Sequence, residues 1–126
     1  MNSRQAIGRD LFKKIHGGLA AEETLKDFER LSPEFSRIML EWVYGDLYAD
    51  NSVIDMRTRE ISNISALAAI GAIPQLRNHI HAAIKLGFST KEIEHIVINN
   101  LVTVGFPYVI NALILLHEVT EEINSP

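Results

Sequence analysis

An all-α fold follows from three features of this 126-residue chain. Apolar residues recur at helical rather than alternating spacing, Gly and Pro stand where helices would stop and start, and neither an Asn-Gly hairpin turn nor a repeat of solenoid length occurs. The length suits one domain, residues 1–126, able to bury about two-thirds of the surface its unfolded chain exposes. The expected architecture is a bundle of six to seven helices.

A first helix is expected from Arg4 to His16, where Gly17 and Gly18 supply a left-handed stop. A short second helix covers Ala21 to Arg30. Ser32 then Pro33 reads as an N-cap followed by proline in the first turn, opening a third helix through EFSRIMLEWVYGDLY. The polar stretch ADNSVID is a loop. A fourth helix spans Asp55 to Ile70 and closes at Gly71; Pro74 restarts a fifth that ends before Gly87. Ser89 and Glu92 have capping-box spacing, so a sixth helix begins there and runs to Val104. Pro107 begins the last helix, which fades into TEEINSP. Connections from the fourth helix onward are short, so antiparallel neighbours are expected. The sixth helix is apolar on nearly every face, which calls for burial against a second copy of the chain.

Charge and residue usage narrow the function. Twelve basic residues against 16 acidic give a net charge of -4, and no Lys/Arg cluster builds the field that phosphate backbones require, so nucleic acid is not an expected partner. The start MNSRQAIGRD lacks an apolar signal core, and every later apolar run is broken well short of a membrane span. A soluble cytoplasmic protein without a membrane partner is expected. The absence of cysteine removes disulfides, thiolate nucleophiles and thiol redox chemistry. No H-E-x-x-H, i,i+4 histidine pair, G-x-S-x-G or phosphate-binding glycine loop is present, so neither a metal nor a cofactor is expected. Acid-base chemistry without a cofactor, or no chemistry, remains.

A helical advance of about 100° per residue assigns each side chain a face. In the fifth helix His79 falls within the apolar arc of Leu76, Ile80 and Ala83, whereas His81 lies opposite with Arg77, Asn78 and Lys85 on a solvated face. In the fourth, Glu60 projects between Ile64 and Leu67, with Arg57 one turn earlier as its nearest possible partner and Arg59 pointing away. An inward glutamate must pair, take up a proton or line a cavity. Two inward ionisable groups on consecutive helices are a candidate acid-base site. Asn100 projects among Ile93, Val97 and Val104 and requires a hydrogen-bond partner. His95 reads as structural, His16 and His117 stand near helix ends where they favour the C-terminal dipole, and Trp42 and Tyr44 read as core or interface.

The order YGDLY, MRTREISNISALAAIG, LRNHIHAAIKLG, STKEIEHIVINN and GFPYVINAL resembles the carboxymuconolactone decarboxylase family over about residues 33–119, most specifically at R-T-R-E (Arg57 to Glu60) and L-R-x-H (Leu76 to His79). The resemblance implies an alkylhydroperoxidase-like helical fold and a homo-oligomer, commonly a hexamer built as a trimer of dimers. Redox members of that superfamily carry Glu, eleven residues, Cys-x-x-Cys, three residues, His. Glu60 and His79 keep the spacing, but Ala72 and Gln75 stand at the cysteine positions, which closes thiol peroxidase chemistry. The decarboxylase branch implies a cofactor-free carboxy-lyase in aromatic-compound degradation, acting on a small carboxylate or lactone. In it Glu60 and His79 would be catalytic and Arg57, with Arg59 second, would bind substrate carboxylate. A related lactone-processing enzyme and a non-catalytic helical homo-oligomer are the alternatives.

Overall fold

The computed structural model describes residues 2–125, whose regular elements are all helices, with no strand among them. They form two compact units divided between Met56 and Arg57.

The first unit contains α1 (Ser3–His16), α2 (Gly18–Leu31) and α3 (Pro33–Ile38), the last running into a π-helical segment, Met39–Leu47. Asn2 opens α1 with a reciprocal capping box: its side chain accepts from the Gln5 N–H, and its own N–H donates to the Gln5 side chain. Ser32 caps α3 by accepting from the Phe35 N–H at 3.1 Å. The core joins Phe12, Ile15, Leu25, Leu40 and Tyr44, and Tyr44 also meets Phe12 ring edge to face at 4.8 Å.

The third helix was expected to run on as one α-helix; instead it widens into the π turn. The cause is its packing against α1. In an α-helix, residues five apart point about 140° away from each other, whereas an i to i+5 hydrogen-bond register brings them to one side. The Tyr48 N–H donates to the Val43 carbonyl at 2.7 Å in that register. Glu41 and Asp46, five apart, both engage Arg4 of α1. Leu40 and Gly45, likewise five apart, both lie against Gly8: a Cβ on Gly8 would sit 1.8 Å from the Leu40 carbonyl oxygen, and one on Gly45 2.5 Å from the Arg4 oxygen. His16, expected near the helix end for its dipole, also bonds the Tyr44 hydroxyl through Nε2 at 2.7 Å.

The second unit contains α4 (Met56–Ile70) from its second residue onward, α5 (Ile73–Lys85), α6 (Thr90–Ile98), the single turn α7 (Leu101–Val104) and α8 (Phe106–Asn124). Helix α8 packs on α5, α6 and α7. The core takes Ile64 and Ala68 from α4, Leu76 and Ile80 from α5, Ile93 and Val97 from α6, and Val109, Ala112, Leu115 and Val119 from α8. These last four follow the helical 3–4 spacing that sets one face of α8 inward. Arg77, placed by projection on a solvated face, also reaches Glu118 (2.9 Å) and Glu122 (2.8 Å), tying α5 to α8.

The expected sixth helix from Ser89 to Val104 is broken. Its start stands as read, with the Ser89 hydroxyl accepting from the Glu92 N–H and the Glu92 carboxylate accepting from the Ser89 N–H. At Asn99 and Asn100 the helix turns, and the Asn100 N–H bonds the Val97 carbonyl three residues back. Asn100, 4% exposed, accepts from Ser65 Oγ (3.2 Å) and Thr103 Oγ1 (3.3 Å) and donates to the Ile96 carbonyl (3.4 Å). Its side chain competes with the helix for local backbone groups, as Asn does. No helix among the described residues is long and apolar enough to cross a membrane.

Candidate functional site

Helix α4 places Glu60 in the core at 1% exposure, and α5 places His79 beside it with its side chain 20% exposed. His79 Nδ1 and Glu60 Oε1 are hydrogen-bonded. The other carboxylate oxygen, Oε2, is buried and has no hydrogen-bond partner among the described residues. The inward histidine and inward glutamate of the helical projection therefore meet across α4 and α5, and the carboxylate lies behind an imidazole that reaches toward solvent. A buried carboxylate bonded to one imidazole nitrogen fixes ring orientation and tautomer. His81 points outward and is exposed.

Arg57, the partner expected for Glu60, turns elsewhere. Its guanidinium lies over the Phe88 ring at 3.9 Å, donates to the Leu86 carbonyl at 3.3 Å and stands 3.5 Å from the Glu92 carboxylate. The helical projection places Arg57 and Glu60 about 60° apart on α4, and the long arginine stem follows the α5–α6 connection rather than the core. Arg59 is half-buried and is not among the residues lining the groove described next.

Arg57 lines a groove of about 450 Å³, within the size range of small-molecule sites. Ile61, Phe88 and Ile96 supply its apolar wall; Ser65, His95 and Asn99 supply polar groups beyond Arg57 and Glu92. Glu92 is held below the usual carboxylate range, first by the Ser89 N–H it accepts from, then by the Ser89 side chain and the Arg57 charge. At 3.5 Å its contact with Arg57 is longer than a charge-assisted hydrogen bond, so the guanidinium keeps donors for another acceptor. Glu60 and His79 are not on the groove wall. His95, read from sequence as structural, faces the groove. The signal that locates it is the spacing of Glu92, His95 and Asn99 along one stripe of α6, at i, i+3 and i+7. No group of three or more His, Asp or Glu side chains among the described residues is arranged to hold a metal ion.

Comparison with known proteins gives one family match, the carboxymuconolactone decarboxylase family over residues 33–118, more than half of the chain. No curated protein matches.

Proposed function

The chain belongs to the carboxymuconolactone decarboxylase family, whose alkylhydroperoxidase-like fold it has, and from that premise we propose that it is a cofactor-free carboxy-lyase acting on a small lactone carboxylate. The observation that carries this reading is the hydrogen bond between His79 and the buried Glu60, two residues at the spacing of the superfamily's redox members, in a chain without cysteine.

The chemistry asks little of the protein beyond placement and one proton. In a carboxymuconolactone the bond from ring carbon to carboxylate breaks, CO2 leaves, and the electron pair spreads through the ring double bond into the lactone carbonyl. The resulting dienolate takes one proton on carbon to give the enol-lactone. Arg57, whose guanidinium lies over Phe88 on the groove wall, offers N–H donors to a substrate carboxylate. With Nδ1–H donating to Glu60, His79 is held in the tautomer that takes up and delivers a proton at Nε2. Arg59 is retained as a weaker candidate for a second substrate carboxylate.

One observation favours a different proton donor within the same reaction: His95, not His79, lines the groove that contains Arg57. In that assignment Glu60 and His79 are a buried structural contact. An assay of CO2 release from 4-carboxymuconolactone, run on the wild type and on His79→Asn and His95→Gln, separates the two. The donor is the histidine whose loss removes turnover while the fold survives.

We further propose a cytoplasmic homo-oligomer, in keeping with family membership. Phe106, Ile110 and Ile114 lie one turn apart on α8, and all are exposed, with Val102 of α7 at 88% exposure beside them in sequence. A row of this kind is the sort of surface that a second copy covers.

A further inference from the structure

We propose that a cavity of about 290 Å³ in the first unit is a binding site for a small oxyanion, a carboxylate or a phosphate group. It is walled by Gln5 and Arg9 of α1, Glu29 of α2, and Ser36 and Arg37 of α3.

Two uncommitted donors meet there. Arg9 Nε is buried without a hydrogen-bond partner, and the Arg9 guanidinium makes no hydrogen bond or ion pair among the described residues. The charge it senses is Glu22, whose carboxylate is already engaged by Lys13. Ser36 is 3% exposed, and its hydroxyl likewise makes no hydrogen bond among the described residues. Buried polar groups are satisfied in the great majority of cases, so the orphaned Arg9 Nε, with the unpaired Ser36 hydroxyl on the same wall, points to an acceptor there.

The charge of the occupant follows from the remaining wall. Gln5 uses its side-chain oxygen to accept from the Asn2 N–H, which leaves its amino group as a third donor. Arg37 adds no net charge to the wall, because its N–H groups are paired with the carboxylates of Glu34 (2.6 Å) and Glu41 (3.0 Å). Against these stands one carboxylate, Glu29, exposed to water that screens it. A cation or an amine would face the Arg9 charge and leave Arg9 Nε and the Ser36 hydroxyl unpaired. A carboxylate or phosphate oxygen satisfies them, and the arginine fork matches either geometry. None of these residues takes part in the reaction proposed above, so this site and that activity stand or fall separately.

The test is an amide NMR titration of the full chain with inorganic phosphate and, separately, with acetate, at an ionic strength held constant with chloride, alongside thermal melts. Saturable shifts at the Arg9 and Ser36 amides, with a melting temperature that rises with anion concentration, are expected. Tighter binding of phosphate identifies a phosphoryl ligand, and tighter binding of acetate a carboxylate. Arg9→Gln should weaken binding about tenfold or more, the value of one charge-assisted contact, and Ser36→Ala by less. Glu29→Gln should tighten it, because it removes the one opposing charge. The proposal is overturned if neither ion gives saturable shifts at these amides across the millimolar range, or if folded Arg9→Gln titrates like the wild type, which marks an adventitious ion only.

Discussion

Glu60 and His79 stand nineteen positions apart in sequence and share a hydrogen bond between Oε1 and Nδ1, one group fully buried and the other half-buried. That relationship separates two roles by their mutational signatures. If the two act as one catalytic unit, Glu60→Gln and His79→Asn should each lower kcat by about two to four powers of ten, and the double variant should lose little more than the worse single one. If the contact is structural, the same substitutions should leave turnover near wild type and cost about 1–3 kcal/mol of stability, the penalty of an unpaired buried group, read from denaturant melts.

Arg57 is expected to act on binding rather than on chemistry. Arg57→Gln removes the fork that lies over Phe88 and should raise KM about ten- to a hundredfold with a smaller change in kcat. Arg57→Lys should recover little of this, since a point charge does not reproduce the bidentate geometry. Steady-state kinetics on the three proteins decides it; a fall confined to kcat would place Arg57 in the chemical step.

Much of this site was legible in the sequence, and the reasons are physical. Helix starts at Ser32–Pro33 and at Ser89–Glu92 are written in residues that bond within one turn of themselves, so local reading finds them. The inward azimuths of Glu60 and His79 follow from helical period alone. What period does not encode is reach: it placed Arg57 beside Glu60, but the long side chain settles on Phe88 and Leu86 of the α5–α6 connection. The π turn and the break at Asn99 and Asn100 were hidden for a related reason. One is imposed by glycines of α1 and the π segment in backbone contact, the other by Asn100 bonding to Ser65 on α4. His95, read from the sequence as structural, lies on the groove wall with Arg57 and Ile61, a neighbourhood that the period of one helix does not reveal.

Gly8 should tolerate no side chain. A methyl at Gly8 would overlap the Leu40 carbonyl, a backbone group that cannot swing aside, so Gly8→Ala should destabilise the first unit by at least the ~1–3 kcal/mol typical of overpacking. Equilibrium unfolding followed by the fluorescence of the chain's single tryptophan, Trp42 in the π segment, reads this directly.

The same probe should report acid sensitivity. The Glu41 carboxyl is held below the usual range by the Asn2 amide first, then by Arg37 and Arg4, and Asp46 is held low by Arg4. A carboxyl whose folded pKa is depressed contributes stability that is fully present above its unfolded value of about 4.3 for Glu and is lost as pH falls through the folded value. Stability of the first unit should therefore drop as pH falls from about 5 toward 2, and Glu41→Gln should flatten that drop while lowering stability near neutrality. An unchanged acid limb in the variant would remove Glu41 from the account.

Self-association is expected through the exposed row on α8. Light scattering should give a mass above that of one 14.2 kDa chain at micromolar concentration, and Ile110→Glu should shift it toward the monomer. A monomeric wild type would contradict the assembly.

The central claim is cofactor-free decarboxylation that depends on Glu60 and His79, and the most direct measurement is CO2 release from 4-carboxymuconolactone by purified wild type, Glu60→Gln, His79→Asn and the double variant, each checked for a native melt. The account predicts stoichiometric CO2 and enol-lactone from the wild type without added metal or cofactor, and large, non-additive losses in the folded variants. Folded single variants that turn over the substrate like the wild type would contradict it and leave the Glu60–His79 bond a structural contact.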